Sequence, residues 1–243
     1  MWFEVDWPAP AHVRAISTDR LGGHSGTPFA SLNLGSHVGD DADAVARNRA
    51  ALLQQAGLPG EPVWLEQVHG THVLTLPLTG PQPPADASYT GNPGQVCTVM
   101  TADCLPVLFC DRQGREVAAA HAGWRGLVDG VLEATLSRFQ APRSEILAWL
   151  GPAIGPTAFE VGAEVRARFI AEDPAADAAF VAQGEGKYLA DLYTLARQRL
   201  NRAGVTQLYG GDQCTYSEAD RFFSYRRDGQ TGRQASLIWF TPS

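Results

Sequence analysis

Two imidazoles and one thiol stand in short segments suited to metal chemistry: Gln67-Val68-His69-Gly70, Thr101-Ala102-Asp103-Cys104 and His121-Ala122-Gly123-Trp124-Arg125-Gly126. Three borderline-to-soft ligands with no evident fourth are what a catalytic metal site requires, because water or substrate must take the open position. Each histidine alone reads equally well as a buried ring hydrogen-bonded to backbone. Cys104 shifts the reading: it follows an acid at the mouth of the apolar run Leu105-Pro106-Val107-Leu108-Phe109, whereas Cys97 and Cys110 sit inside apolar runs as inert thiols do. A thiolate beside two neutral imidazoles favours Zn²⁺. Copper on the same three ligands, with Met100 as a weak axial donor, is the lesser alternative. His72 is left out of the set, and Cys214 is a buried small residue before it is a fourth ligand.

The elements that must carry these residues are short. Apolar runs predict strands over His12–Ser17, Val63–Val68, Val73–Leu76, Val96–Met100, Leu105–Phe109, Val117–His121, Ile146–Leu150 and Ser236–Phe240. His69 and His121 then project from strand ends. Asp40 or Asp41 caps a helix to about Gln55 that Gly57 closes, and a second helix follows Gly126 through Leu127, Val131, Leu132, Thr135 and Leu136. Two later helices are expected over Gly162–Ala171 and Lys187–Arg202, and Pro77–Pro84 reads as a surface loop. The alternation predicts a mixed α/β (α+β) fold with a large mixed sheet or two packed sheets.

The chain of 243 residues has 44% hydrophobic and 19% charged residues, which suits one large globular domain spanning 1–243. A net charge of -7, without a cluster of lysines or arginines, argues against nucleic-acid binding. No apolar run reaches membrane-spanning length, Met1-Trp2-Phe3-Glu4 lacks the start of a secretory signal, and four scattered cysteines form no disulfide framework. A reduced cytoplasmic setting is expected.

The three motifs, in this order, resemble the YfiH-type family, also called the multicopper polyphenol oxidoreductase or laccase-domain family. Further landmarks are Ser31-Leu32-Asn33-Leu34-Gly35, Gly39-Asp40, Asn48-Arg49, Ala85-Asp86-Ala87, Gly151-Pro152-Ala153-Ile154-Gly155 and Phe222-Phe223-Ser224-Tyr225-Arg226-Arg227. The resemblance implies a single-domain α/β fold of packed sheets and a zinc held by His69, Cys104 and His121. It also implies phosphorolysis of adenosine, inosine, guanosine and methylthioadenosine, together with deamination of adenosine. The partners are then purine nucleosides and inorganic phosphate. A multi-copper assembly needs more imidazoles than the six histidines present, so copper-dependent polyphenol oxidation stays secondary.

Phosphorolysis needs a cationic cradle, for which Arg49, Arg125 and Arg226 are the candidates. Arg125 is the best placed of them, beside the expected helix start. Asn33 is a candidate for a base or ribose contact, and His24 and His37 for the same cleft. Asp103 adjoins a ligand and either moves protons or holds its loop, the second being preferred. Similarity to proteins linked with peptidoglycan-precursor editing supplies a rival reading. In it Cys104 attacks a carbonyl and His121 takes its proton, as in a cysteine hydrolase.

Overall fold

The computed structural model describes residues 1–242. The chain opens with β1 (Trp2–Glu4), β2 (Val13–Thr18), α1 (Ala42–Gln55), β3 (Val73–Leu76), β4 (Ala87–Thr90), β5 (Cys97–Thr101), β6 (Leu105–Asp111) and β7 (Val117–Ala122). Next come α2 (Trp124–Asp129), α3 (Val131–Leu136), β8 (Ile146–Leu150), β9 (Glu160–Gly162), α4 (Ala163–Glu172), β10 (Phe180–Gly184) and β11 (Lys187–Ala190). It ends with α5 (Leu192–Arg202), β12 (Gln207–Gly210), α6 (Tyr225–Asp228) and β13 (Gln234–Phe240). No described helix is long and apolar enough to cross a membrane.

The strands form a six-stranded sheet ordered β12-β8-β6-β7-β4-β3, a four-stranded sheet ordered β1-β2-β13-β5, and a small sheet ordered β10-β11-β9. The largest is mixed, with β12–β8 and β3–β4 parallel and the β8–β6–β7–β4 pairs antiparallel. Side-chain alternation explains the layering. On β6, Val107 and Phe109 join β7 residues Ala118, Ala120 and Ala122 in a core with Leu127, Leu132, Val165 and Leu195 of the helices. The opposite face, Leu108 and Cys110 with Val117 and Ala119, meets Val13, Ala15, Val99 and Ile238 of the four-stranded sheet. That sheet's other face, Ile16, Met100, Leu237 and Trp239, is covered by Leu52 of α1 and by Leu32 and Leu34. A mixed sheet packed on an antiparallel one and flanked by helices follows; packed sheets are as the sequence predicts, but only the largest is mixed.

Three expectations need correction. Val63–Val68 is extended but pairs in no ladder: Gln67 exchanges two hydrogen bonds with the main chain of Met100, Nε2 to the carbonyl at 2.7 Å and Oε1 from the N–H at 2.8 Å. A side-chain amide there substitutes for the strand partner. The helix expected beyond Gly126 starts earlier, at Trp124, and breaks in two at Gly130, whose φ of 99° is open to glycine and closed to helix. Lys187–Ala190 is a strand paired with β9 and β10, and α5 begins only after Asp191, whose carboxylate accepts from Thr194 N–H at 3.0 Å. By contrast Asp41 caps α1 through Ala44 N–H at 2.7 Å, as anticipated.

Leu108 is fully buried in the seam between the two large sheets. Leu108→Ala should cost about 2–5 kcal/mol in urea unfolding. A loss well under about 1 kcal/mol would mean that the sheets are not in close-packed contact there.

Candidate metal centre

His121 lies on the β7 face that carries Val117 and Ala119, so its ring enters the seam between the two large sheets at their end. Cys104 immediately precedes β6, whose Pro106 pairs with His121. His69 comes from the unpaired segment before β3. The ligand atoms of His69, Cys104 and His121 lie within 4.8 Å of one another.

The donor set fits one tetrahedral ion. Cys104 Sγ stands 3.7 Å from His69 Nε2. Zinc–sulfur and zinc–nitrogen bonds of about 2.3 Å and 2.0–2.1 Å at a tetrahedral angle require roughly 3.6 Å between these atoms. The rings of His69 and His121 meet edge to face at 4.9 Å, so neither blocks the other's nitrogen. Burial pushes the Cys104 thiol up, but the His121 ring and the His69 hydrogen bond outweigh it and bring the thiol down to about 6. Burial pushes His121 down, and Cys104 and Asp86 reverse this, raising it to about 9. The two shifts run together, each group favouring the charged form of the other.

Asp86, unassigned in the sequence beyond its place in Ala85-Asp86-Ala87, holds this arrangement. Its fully buried carboxylate accepts His121 Nδ1 at 2.8 Å, which leaves Nε2 for the ion. It also accepts three consecutive main-chain N–H groups, Val68 at 3.2 Å, His69 at 2.8 Å and Gly70 at 2.7 Å. This nest holds His69 at a φ of 61°, a left-handed conformation that a histidine rarely adopts. Burial works against the Asp86 carboxylate, but the His121 and amide hydrogen bonds prevail and keep it below its ordinary value. The signal available in the sequence was an acid between two alanines at a strand start, where an apolar strand has no other use for a charge.

Space is equally constrained. A Cβ on Gly123 would stand 2.8 Å from the His69 ring and 2.9 Å from Cys104 Sγ. One on Gly126 would meet the Gly70 carbonyl at 2.8 Å. Asp103, with a φ of 98°, is clamped by both carboxylate oxygens, from Thr215 Oγ1 at 2.7 Å and Arg226 N–H at 2.6 Å. Its carbonyl accepts Ile154 N–H at 2.9 Å.

The centre opens into a cavity of about 440 Å³ whose walls include Met100, Trp124, Arg125, Phe159, Tyr225, Arg226 and Arg233. Arg125 stacks over Trp124 at 4.5 Å, and Arg226 lies 5.5 Å over Phe159 while donating to the Glu160 carbonyl at 2.9 Å. Among the described residues, none of Arg125, Arg226 and Arg233 has a carboxylate within ion-pair distance. Arg233 was missed in the sequence, where Thr231-Gly232-Arg233 reads as an ordinary turn.

Asn33 and Arg49 do not line this cavity. Asn33 is fully buried and donates to Asp40 at 2.8 Å and to the Gly35 carbonyl at 3.1 Å, satisfying the loop that crosses the four-stranded sheet. Arg49 turns inward, donating Nε and Nη2 to the Leu34 carbonyl at 3.0 and 2.7 Å, with its guanidinium 4.1 Å over Trp64. His37 lines the cavity and His24 does not. His72 bonds the Pro84 carbonyl at 3.0 Å and stays outside the ligand group. Cys214 is half-buried rather than apolar, its sulfur accepting Gly155 N–H at 3.2 Å, and is likewise outside the group.

Asp86→Asn should lower metal affinity by about 10–100-fold, because the ring loses its anionic orienter. Gly123→Ala should also lower metal content, by steric displacement of His69 and Cys104. Metal analysis after dialysis against a graded chelator checks both. Wild-type retention in the two variants would contradict the arrangement described.

Residues 14–241 match the family described as multi-copper polyphenol oxidoreductase laccase. A protein of Escherichia coli (strain K12) named purine nucleoside phosphorylase YfiH is 61% identical over 236 residues, 96% of each chain. A Haemophilus influenzae protein named purine nucleoside phosphorylase is 55% identical over 237 residues, 97% of each chain. The crystal structure of Neisseria meningitidis protein NMB0706 superposes with a TM-score of 0.95 at 53% identity, covering 99% of each chain. Similarity of this extent in sequence and fold leaves one conclusion: the chain belongs to the YfiH-type, multi-copper polyphenol oxidoreductase laccase family.

Proposed function

We propose that this chain is a zinc-dependent purine nucleoside enzyme. It cleaves adenosine, inosine, guanosine and methylthioadenosine with inorganic phosphate, and it also deaminates adenosine. The observation that carries the reading is a cavity that joins the His69–Cys104–His121 donor set to three arginines without carboxylate partners, in a chain of net charge -7. Such a cavity selects an anion against the field of the whole protein. The relatives named purine nucleoside phosphorylase identify which anion and which second substrate to test.

In phosphorolysis a phosphate oxygen bonds to the ribose C1′ and the C1′–N9 bond breaks. Its electron pair leaves on the purine, which takes the proton that the phosphate carried. His69, Cys104 and His121 would hold the zinc, which would supply Lewis-acid polarisation there. Arg125 and Arg226, on the wall of the cavity over the metal centre, present guanidinium donors for the negative charge that develops on the departing base and the attacking oxygen. Tyr225, Phe159, Met100 and Ile154 offer the apolar surface that a purine needs. Asp103 acts as a positioning residue, since both its oxygens already hold the loops of Thr215 and Arg226. Deamination uses the same cavity with water as the attacking group at C6 and ammonia as the leaving group.

One observation favours a second reading. Asp86, His121 and Cys104 form an acid–imidazole–thiol relay with the thiol at about 6, which is also the order of a cysteine hydrolase acting on amides such as peptidoglycan precursors. His69 argues against it, because a relay of this kind has no use for a second imidazole 3.7 Å from the sulfur.

The test is free base and ammonia release from inosine and adenosine by zinc-loaded protein, with and without phosphate. Phosphate-dependent base release should fall by roughly 100-fold or more on chelation and in Cys104→Ala, and zinc should restore it to the chelated wild type. Turnover of an amide substrate that survives chelation, with neither nucleoside consumed, would give the hydrolase reading first place. Copper restoring activity where zinc does not would overturn the choice of metal.

A further inference from the structure

Behind Arg233 lies a second cavity of about 400 Å³, walled by His37, Val38, Tyr225, Gly229, Gln230, Thr231 and Arg233. It shares His37, Tyr225 and Arg233 with the cavity over the metal centre, so these three side chains form the boundary between an inner and an outer chamber. The boundary guanidinium is built into place. Arg233 Nη1 donates to the carbonyls of Thr231 and Gly232, both at 3.0 Å, and its main-chain N–H donates to Asn33 Oδ1 at 2.9 Å. Gly35 leaves room for its stem: a Cβ there would stand 2.8 Å from Arg233 Cγ. The fully buried Asn33 thus serves the cavity at one remove, by holding the backbone from which this arginine projects.

Half-buried arginines are ordinarily paired. Arg233 has no carboxylate within ion-pair distance among the described residues, only the longer-range pull of Cys104 and Asp103 against its burial, and its Nε and Nη2 make no hydrogen bond. One further group stands at the outer chamber: the solvent-facing His37 ring, whose charge is suppressed by partial desolvation and by Arg233 and Arg49. A planar fork with two unused donors beside a neutral imidazole makes a receptor for a compact tetrahedral oxyanion, not for a base or a sugar.

We infer that Arg233, with His37, forms the inorganic phosphate subsite of this enzyme, in the outer chamber, while the inner chamber takes the nucleoside beside the metal centre. The assignment rests on the phosphorolytic reading above for the use of the anion, but not for its binding. An anion held by Arg233 borders both chambers, so it can meet a sugar carbon lying over the centre without sharing that volume with the purine.

The experiment measures inorganic phosphate binding to the zinc-loaded, full-length protein by calorimetry in the absence of nucleoside, and then phosphate and inosine KM values. Arg233→Gln should weaken phosphate binding and raise the phosphate KM by roughly tenfold or more, with zinc content and inosine KM within about twofold of wild type. Because Arg233 also bonds its own loop, His37→Ala at an exposed side chain is the second variant, expected to weaken phosphate roughly threefold or more. Phosphate binding unchanged in both variants would overturn the assignment, as would binding of inosine 5′-monophosphate in a protein that does not take free phosphate. If wild type binds phosphate and Arg233→Gln loses it while inosine is never cleaved, the subsite stands and the phosphorolytic reading falls. Inosine cleavage with an unchanged phosphate KM in both variants gives the reverse.

Discussion

The carboxylate of Asp86 is the constraint on which the site depends. Buried without access to water, it must find hydrogen-bond donors inside the protein, and it finds four: one ring nitrogen of His121 and three successive amides ending at Gly70. One charge thereby orients one ligand and bends the chain that carries another. The left-handed turn at His69 would be unfavourable on its own, and the amide nest offsets it. Asp86 sits at the start of β4, and its own carbonyl accepts His121 N–H at 2.7 Å, so the clamp is continuous with the sheet.

A second, partly exposed network works on the other side of the thiol. Asp103, also left-handed, ties the Cys104 turn to Thr215, Ile154 and the first residues of α6. Ligands therefore come from three segments, each fixed by polar groups that the rigid sheets support. The approach is close enough that Gly123 admits no side chain. Pre-organisation of this kind is what a three-ligand centre needs if its open position is to face a cavity rather than collapse.

The same donor set is compatible with more than one chemistry. Two histidines and a cysteine can hold zinc or a single copper, and an acid–imidazole–thiol relay exists within them. Ligand type alone does not separate these uses. The surroundings narrow them: guanidiniums without carboxylate partners stacked on aromatic rings, apolar surface beside them, and a second chamber beyond Arg233. These features suit a purine and an oxyanion together.

The sequence by itself determined the donor types, their order and most of the strands and helices, because apolar runs, capping aspartates and glycine stops are local signals that tertiary contacts reinforced. Where a side chain replaced a strand partner, as Gln67 does, or where a short amphipathic run closed a hairpin, as at Lys187–Ala190, local pattern misled. Only the tertiary structure decided the roles of the polar residues. Asp86 meets His121 across 35 positions and Asn33 meets Arg233 across 200, separations that no local pattern in the chain connects. Arg49 and Arg233 are alike as letters, yet one spends its donors on the Leu34 carbonyl and the other keeps two free at a cavity wall. A buried polar group takes its function from the partners that folding brings to it, and those partners are set by sheet register and loop closure rather than by neighbours in sequence.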